Sequence, residues 1–375
     1  MKISLKRTPE QLELIKAMAS KNRSVAYEAQ VALAQFIGPV IAEVINNAPV
    51  LSNLFTSLQF NSEDNPSIPL DLYYDVTDED YVQVYSNSVA GGLPQNQVVP
   101  TVSELKVATY SLDTAVSFDR RYAAKSRMDV VSKTFTRMAQ EILLKQERTS
   151  ANLIMGAVAQ ATTNGKDHVF RATTDGSFLL DDFNNMITRA KRINTAWNKG
   201  TPEGGRRGIT DIMVSPEAVK ALREMSYNPV NTKTVGTGND LAAPESLRES
   251  VYNAGGGLPD FYGVSIMEVN ELGVGQKFNT IFDTIAGTTQ YADANGNNSA
   301  VFDDASDEIL LGLDRGRDAL VKAIAVDEEN GSEFQLTADD QYSIRQNKIG
   351  FFGGIEEGRM VLDNRALAGI VCNGL

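Results

Sequence analysis

The sequence predicts an α+β protein, because one very long helical pattern stands between an alternating strand pattern and a mixed region of helices and strands. Apolar residues recur at helical spacing within residues 128–160. The repeating positions are Val131, Phe135, Met138 and Ile142. No glycine or proline interrupts this stretch before Gly156. At ~1.5 Å per residue the predicted helix is on the order of 50 Å long, which is unusual because the mean helix has about 11–12 residues.

The N-terminal region predicts two helices. Thr8 precedes Pro9, which is typical of a helix start because the hydroxyl caps the helix and proline suits its first position. Gln11 lies at the capping-box position. A second helix is predicted over residues 25–45, with a kink at Pro39. These helices either dock on the core of their own chain or form an arm that reaches a neighbouring subunit.

Residues 58–104 have a different character. Strand-like pieces are predicted at residues 68–74 and 81–85, separated by acidic and Gly/Pro-rich turns. The segment contains few large aliphatic residues, and a long two-stranded excursion usually needs a partner surface. A disordered loop is the alternative, against which the apolar alternation in residues 70–74 argues.

Regular elements follow this segment. A half-buried strand is predicted at residues 110–118 from its alternating apolar side chains. Between residues 170 and 338 the pattern is typical of an α/β domain. Helices are predicted there at 178–197 and 215–225, strand-rich stretches at 209–214, 262–269 and 309–324, and a loop around one short helix at 228–257. Ser215 and Pro216 supply the cap and the first position of the second helix.

Composition excludes several classes of function. The net charge is -13 and the pI about 4.7, so the chain is poorly suited to general DNA or membrane binding, which needs clustered cations. The charge suits either simple solubility or a wall past which DNA slides without sticking. His168 is the sole histidine and Cys372 the sole cysteine, which excludes an intrachain disulfide, a thiol metal cluster and a two-histidine metal site. No apolar run approaches the ~20 residues of a membrane span, and no secretory signal is recognised.

No catalytic, cofactor-binding or metal-binding residue is predicted. Gly236 and Gly238 lack the third glycine of a dinucleotide fingerprint, no strand precedes them, and no Walker sequence occurs. Adjacent acids are expected to form solvated faces, because their side chains point in different directions. These pairs are Asp181-Asp182, Asp303-Asp304, Glu328-Glu329 and Glu356-Glu357.

The nearest metal-like pattern runs from Asp293 to Asp304, where oxygen-bearing side chains have the spacing of a calcium loop. Asn298 stands where the sharp turn of such a loop needs glycine, and the final ligand would be aspartate instead of glutamate. An ordinary surface loop is therefore favoured over calcium binding. His168, beside Asp167, is expected to be an exposed turn residue and not a proton relay.

The order of these parts carries a family resemblance over nearly the whole chain. Its most telling stretches are residues 123–159, DIMVSPEAVKALREM at 211–225, YGVSIMEV at 262–269 and GFFGGIEEGRMVLDNRAL at 350–367. The chain resembles the major capsid proteins of tailed bacteriophages, which have the Hong Kong 97 type of fold. The resemblance implies an N-terminal helical arm (1–57), an extended β-hairpin loop (58–104), a peripheral domain (105–169 and 339–375) with a spine helix (128–160), and an axial domain (170–338).

The same resemblance implies a structural protein and not an enzyme. Its copies would form the hexamers and pentamers of an icosahedral virion capsid, assembled in the host bacterial cytoplasm around double-stranded DNA. Implied partners are the chain itself, a portal at one vertex, scaffold and cement proteins, and DNA bound without sequence specificity; no cofactor and no membrane are implied. No lysine lies between Lys21 and Lys106, so the lysine crosslink of some members is not expected from the loop. The short stretch before residue 58 predicts an uncleaved arm or a separate scaffold.

Three alternatives stay open. An encapsulin-like compartment shell would share the fold and would bind a cargo peptide. A tail or baseplate protein would form helical or six-fold rings. A carboxylate-based hydrolase would show a deep pocket with paired acids of perturbed pKa.

Overall fold

The structure, a computed structural model, describes residues 8–46, 51–61, 64–69, 104–163, 166–176, 178–198, 208–227, 260–261, 263–317, 319–326, 332–339 and 346–374. The chain forms two compact units. Unit 1 comprises Met1–Ile68, Leu105–Ser150 and Leu320–Met360, and unit 2 comprises Pro69–Glu104, Ala151–Ala319 and Val361–Leu375. The domain boundaries implied by the family resemblance differ from this division and stay a prediction.

The described residues contain both helices and strands, so the predicted α+β class is confirmed. The helices are α1 (Pro9–Met18), α2 (Arg23–Asn46), α3 (Arg120–Ala124), α4 (Met128–Ala159), α5 (Leu180–Asn198), α6 (Pro216–Tyr227) and α7 (Lys277–Ala286). The first strands are β1 (Thr56–Asn61), β2 (Ser67–Pro69), β3 (Glu104–Lys106), β4 (Thr109–Asp119), β5 (Thr162–Thr163), β6 (Lys166–Asp167), β7 (Val169–Arg171), β8 (Asp211–Val214) and β9 (Asp260–Phe261). The remaining strands are β10 (Val264–Glu268), β11 (Gln290–Tyr291), β12 (Ala300–Val301), β13 (Asp307–Leu313), β14 (Leu320–Val326), β15 (Gln335–Asp339), β16 (Lys348–Val361) and β17 (Leu367–Asn373).

Most predicted elements that fall on described residues are confirmed within two residues at each end; the loop predicted at 228–257 lies outside the described residues. The long helix predicted at 128–160 is α4, and the strand predicted at 110–118 is β4. α1 begins as predicted, because the Gln11 N–H donates to Oγ1 of Thr8 at 3.4 Å. α2 continues through Pro39, and the kink predicted there stays a prediction. The stretch predicted at 309–324 is two strands, β13 in unit 2 and β14 in unit 1.

Unit 1 contains a five-stranded sheet. Its order is β1–β14–β16–β15, and β4 pairs with β16 along the opposite edge. Alternate β16 residues face opposite sides, and one side packs on helices. There the centre of the Phe351 ring lies 5.3 Å from the ring centre of Phe135 on α4 and 6.2 Å from the ring centre of Phe118 on β4. α1, α2 and α4 supply most of the other residues of this apolar core.

α2 is long and apolar enough to cross a membrane by length and composition, with a mean hydropathy of 1.3 over residues Arg23–Ile45. Its buried side chains belong to the core of unit 1. These are Ala29, Leu33, Ala34, Ile37, Ile41 and Ile45. Such packing is typical of a core helix, which passes the same test.

Unit 2 contains a six-stranded sheet in the order β7–β17–β13–β8–β10–β9. All residues of β8 and β13 are buried, as are the first six of β17. Near-continuous apolar strands of this kind form when both faces of a sheet are covered. α6 begins at Ser215, whose hydroxyl accepts from the Ala218 N–H at 3.0 Å, as the sequence predicts.

Candidate functional site

A short paired stem marks where the chain leaves unit 1 and returns to it. β2 and β3 pair with each other, and Ile68 of β2 is buried. Beside this pair, the N–H of the buried Val107 donates to the carbonyl oxygen of Pro66 at 3.0 Å. Hydrogen bonds therefore hold together the two points where the chain departs from this stem and returns to it, an excursion that corresponds to the extended loop predicted at 58–104.

The extended loop predicted at 58–104 is described only at its ends. The strand predicted at 68–74 is described as far as Pro69, and the strand predicted at 81–85 lies outside the described residues. We call residues 51–61 the first leg of this excursion and residues 104–119 its second leg. The first leg contains β1, and the second contains β3 and β4.

β1 is exposed along almost its whole length. It lies at the edge of the sheet and pairs with β14 alone among the described strands. Five of its six residues are exposed and Phe60 is half-buried. Because successive side chains of a strand point to opposite faces, both faces of β1 are exposed. Leu58 is 39% exposed. Soluble proteins usually cover or charge such an edge, because it offers unpaired backbone groups to another strand.

The face of the unit 1 sheet that points away from the helices carries a groove of about 210 Å³. Its lining residues are Ser111, Asp113, Ala325, Glu333, Gln335, Thr337, Phe352, Gly354, Ile355 and Glu356. Phe352 is 43% exposed there. The described lining contains three carboxylates and no cation, so the groove combines an apolar floor with an acidic rim.

A buried ion pair lies at the far end of β16. Arg359 Nη2 donates to Glu357 Oε2 at 3.0 Å, and Arg359 Nε donates to Oε1 at 3.1 Å. The two side chains are only 1% and 0% exposed. Charges this deep are stable only when other polar groups satisfy their remaining hydrogen-bonding atoms.

The first leg and α4 supply such groups. Arg359 Nη2 donates to Oγ of Ser52 at 3.2 Å, and Nη1 donates to Oγ of Ser150. The Arg359 guanidinium carbon lies 5.5 Å from the centre of the Phe55 ring, within range of a cation–π contact. Gln146 Nε2 donates to Glu357 Oε2 at 2.8 Å.

The second leg contributes Tyr110, whose hydroxyl donates to Glu357 Oε1 at 2.8 Å. Burial, followed by the negative charge of Glu357, raises the pKa of Tyr110 to about 12. The tyrosine therefore stays a hydrogen-bond donor to the carboxylate across the neutral pH range. The pKa of nearby Lys322 is lowered, first by burial and then by the charge of Arg359.

α4 also holds the backbone of the first leg. The Glu147 carboxylate accepts from the Leu51 N–H at 3.0 Å and from the Ser52 N–H at 3.3 Å. Hydrogen bonds to an ionised acceptor are among the stronger ones in proteins. The first leg is therefore attached to α4 by its backbone and to Arg359 by a side chain.

Unit 2 contains a second buried ion pair. Arg171 Nη2 donates to Asp307 Oδ1 at 3.0 Å and Nη1 donates to Oδ2 at 3.3 Å. Asn373 Nδ2 donates to the same Oδ1 at 2.8 Å. This pair joins the ends of β7, β13 and β17.

Glu308, next to Asp307, is buried with one hydrogen bond. Its Oε2 accepts from Oγ of Ser215 at 2.7 Å, while its Oε1 has no protein partner. Burial, and in smaller part the charge of Glu217, raises the pKa of Glu308 to about 6. Cys372 lies opposite on β17, and burial raises the pKa of its thiol well above the usual range, which disfavours the reactive thiolate.

Two expectations about single residues need correction. His168 is fully buried and not an exposed turn residue. Its ring Nδ1 lies 2.9 Å from the Leu367 carbonyl oxygen, and its backbone N–H donates to the Ala161 carbonyl oxygen at 3.4 Å. Among the acid pairs, Asp182 and Glu357 are fully buried and not solvated. Asp182 accepts from the Thr173 N–H at 3.0 Å and from the Leu179 N–H at 3.2 Å.

The calcium-like stretch forms a hydrogen-bonded turn. Oδ1 of the buried Asp293 accepts from the Asn295 N–H at 2.9 Å and from the Asn297 N–H at 2.7 Å. Asp304 instead accepts from the Thr280 hydroxyl at 3.0 Å. Within the described ranges, no group of three His, Cys, Asp or Glu side chains is placed to hold a metal ion.

Neither a family model nor a curated protein matches the chain. Among solved structures it is similar to the capsid of cyanophage P-SCSP1u, with 13% identity, 88% of this chain and 89% of that chain covered, and a TM-score of 0.49. The capsid of a native GTA particle gives 11% identity, 87% and 90% coverage, and a TM-score of 0.49. The holo-SrpI encapsulin complex of Synechococcus elongatus PCC 7942 gives 12% identity, 87% and 86% coverage, and a TM-score of 0.44.

A phage capsid is thus among the solved structures that the chain resembles, as the sequence resemblance predicts. This likeness concerns the fold of the chain and not its function.

Proposed function

We propose that the chain is a shell subunit, the major capsid protein of a tailed bacteriophage, whose copies assemble into a closed particle. The observation that carries this proposal is β1, an edge strand that stays exposed on both faces in the isolated chain. A strand of that kind completes its hydrogen bonds and covers its side chains when another chain lies on it.

The face of the unit 1 sheet that points away from the helices supports the same proposal. Leu58 and Phe352 are large apolar residues that remain 39% and 43% exposed. Covering apolar area contributes roughly 25 cal/mol per Å², so one such contact is weak. Repeated contacts around a closed shell make the assembly stable through avidity.

The finer assignments follow the family resemblance and remain part of the proposal. Residues 58–104 would lie across a neighbouring subunit, α4 would be the spine of the peripheral domain, and residues 170–338 would form the axial domain. Copies would form hexamers and pentamers of an icosahedral head, with a portal at one vertex and with scaffold and cement proteins as further partners. Assembly would take place in the host bacterial cytoplasm.

The packaged DNA would be enclosed without sequence-specific binding. The net charge of -13 supports this view, because an anionic chain does not hold phosphates. The absence of lysine between Lys21 and Lys106 excludes a lysine crosslink from the predicted loop.

Electron microscopy of the purified chain tests the proposal. We expect closed icosahedral particles, and a chain that stays monomeric under all assembly conditions would overturn it. Particles that contain a protein cargo instead of DNA, when isolated from producing cells, would favour the encapsulin-like alternative. Open helical tubes or isolated six-fold rings would favour a tail or baseplate protein.

A deletion sharpens the test. Replacing residues 71–102 by a short Gly/Ser linker keeps the β2–β3 stem and removes the excursion beyond it. We expect this variant to fold, with a cooperative unfolding transition, and to form no particles. Normal particles from the variant would contradict the role assigned to the excursion.

A further inference from the structure

The two legs of the excursion attach to the same buried ion pair. Arg359 donates to Ser52 on the first leg at 3.2 Å, and Glu357 accepts from Tyr110 on the second leg at 2.8 Å. Ser52 and Tyr110 lie 307 and 247 residues from these partners in sequence. One pair therefore joins the start and the end of the excursion.

We propose that the Glu357–Arg359 pair is a positioning clamp, which fixes both legs against α4 and so holds the two ends of the predicted loop in place on unit 1. The clamp itself is a property of the single chain. Its consequence for assembly rests on the proposed function of the chain as a shell subunit.

The platform of the clamp is rigid. Ser150 and Gln146 are buried on α4 and bond to Arg359 and Glu357, respectively. On the same helix, Glu147 holds the first leg through two backbone amides. The clamp thus joins a 32-residue helix, the strand β16 and both legs.

Gly358, between the two charged residues, lets the second leg approach closely. A Cβ atom at this position would lie 2.7 Å from the carbonyl oxygen of Ala108 and 2.8 Å from a methyl carbon of Val107. Both are sub-van-der-Waals distances, and one partner is backbone, which cannot move aside as a side chain does. The second leg is therefore packed on β16 at the clamp itself.

An ion pair suits this task better than apolar packing would. Well-packed apolar residues of similar volume often match or exceed the stability of a buried pair. Apolar contacts are non-directional, whereas the five donors of a guanidinium have a fixed geometry. Arg359 uses that geometry to bond to Glu357, Ser52 and Ser150 together.

Hydrogen exchange on the purified, unassembled chain tests the clamp. In the double variant Glu357→Leu/Arg359→Met we expect the amides of Leu51, Ser52 and Val107 to exchange about tenfold faster, since bonds to charged groups are lost at both legs. The matched control is Arg171→Met/Asp307→Leu, which removes the buried pair of unit 2. The control should leave exchange in the legs unchanged.

Unchanged exchange in a folded clamp variant, or an equal increase in the control, would overturn the proposal. If the double variant does not fold, Tyr110→Phe decides, because it removes a single hydroxyl. It should speed exchange at Val107 while leaving circular dichroism unchanged, and no change at Val107 would count against the clamp.

Electron microscopy of the same variants tests the consequence for assembly. Where the wild-type chain forms particles, folded clamp variants should form malformed particles or none. Normal particles from a variant with fast-exchanging legs would overturn the link to assembly. A wild-type chain that forms no particles would overturn the proposed function, while the exchange result would still decide the clamp.

Discussion

The two largest sheets in the described part of the chain differ in how completely their strands are covered. In unit 2 the central strands β8 and β13 are buried along their whole length. In unit 1, β4 alternates between half-buried and exposed residues, and β1 is exposed almost throughout. The central strands of unit 2 and β14 of unit 1 are covered on both faces, whereas β1 and the outward-facing side of β4 remain open.

This difference indicates where contacts with other chains are to be expected. A sheet with two covered faces offers little further apolar area to a partner. The open face of unit 1 instead presents Phe352, Leu58 and an acidic groove, and the excursion begins at that same sheet. Among the described residues, this open face of unit 1 is therefore a surface that association with another chain would cover.

The largest expected effect contrasts two neighbouring phenylalanines on β16. Phe351 is fully buried among aromatic rings, whereas Phe352 on the opposite face is 43% exposed. We expect Phe351→Ala to lower the free energy of unfolding by about 4 kcal/mol, because it removes buried area and leaves a cavity. Phe352→Ala should change it by less than about 0.5 kcal/mol. Chemical denaturation measures both.

The same pair separates folding from assembly. Phe352→Ala should reduce the yield of particles although the chain is folded, because the open face loses its most exposed ring. If Phe352→Ala instead unfolds the chain, or leaves the particle yield untouched, the view of this face as an association surface is wrong.

Elements whose signal is local could be predicted from the sequence. α4 has a continuous 3.6-residue period, β4 has a period of two, and Thr8 and Ser215 mark helix starts by their hydroxyls. The division of 309–324 between two units could not be predicted in this way, because it depends on pairing with distant strands. β14, for example, pairs with β1.

The clamp was missed because its partners are far apart in sequence. Glu356-Glu357 looks like a solvated acid pair, yet Glu357 alternates with Phe351 and Ile355 and therefore faces the core. That alternation also includes Arg359, and it was a signal available in the sequence. Nothing local indicated that Ser52 or Ser150 would meet them.

A pH-dependent stability is the next effect, and it belongs to unit 2. The pKa of Glu308 is raised from 4.5 to about 6, so the folded chain binds this proton more tightly than the unfolded chain does. The ionised carboxylate therefore costs stability above pH 6, and unit 2 gains stability as the pH falls from 7 towards 4.5. A shift of this size corresponds to about 2 kcal/mol.

Glu308→Gln checks this effect. It should raise the free energy of unfolding at pH 7.5 by up to about 2 kcal/mol and should flatten the dependence between pH 5 and 7.5. Glu217→Gln is the control, because the exposed Glu217 adds a smaller part of the shift; it should move the dependence slightly towards lower pH. An unchanged pH profile in Glu308→Gln would show that another group titrates there.

The smallest effect concerns the cap of α1 in unit 1. Thr8 is part-buried and its bond to Gln11 is long, at 3.4 Å, whereas the buried Ser215 in unit 2 caps α6 at 3.0 Å. Thr8→Ala should cost only about 0.5 kcal/mol, since Ile15 and Met18 still anchor the second half of α1 in the core. The loss should therefore appear as faster hydrogen exchange at Gln11 and not at Met18, with Thr8→Ser restoring the wild-type rate. An equal increase along all of α1 would mean that the cap, and not the apolar contact, holds this helix on unit 1.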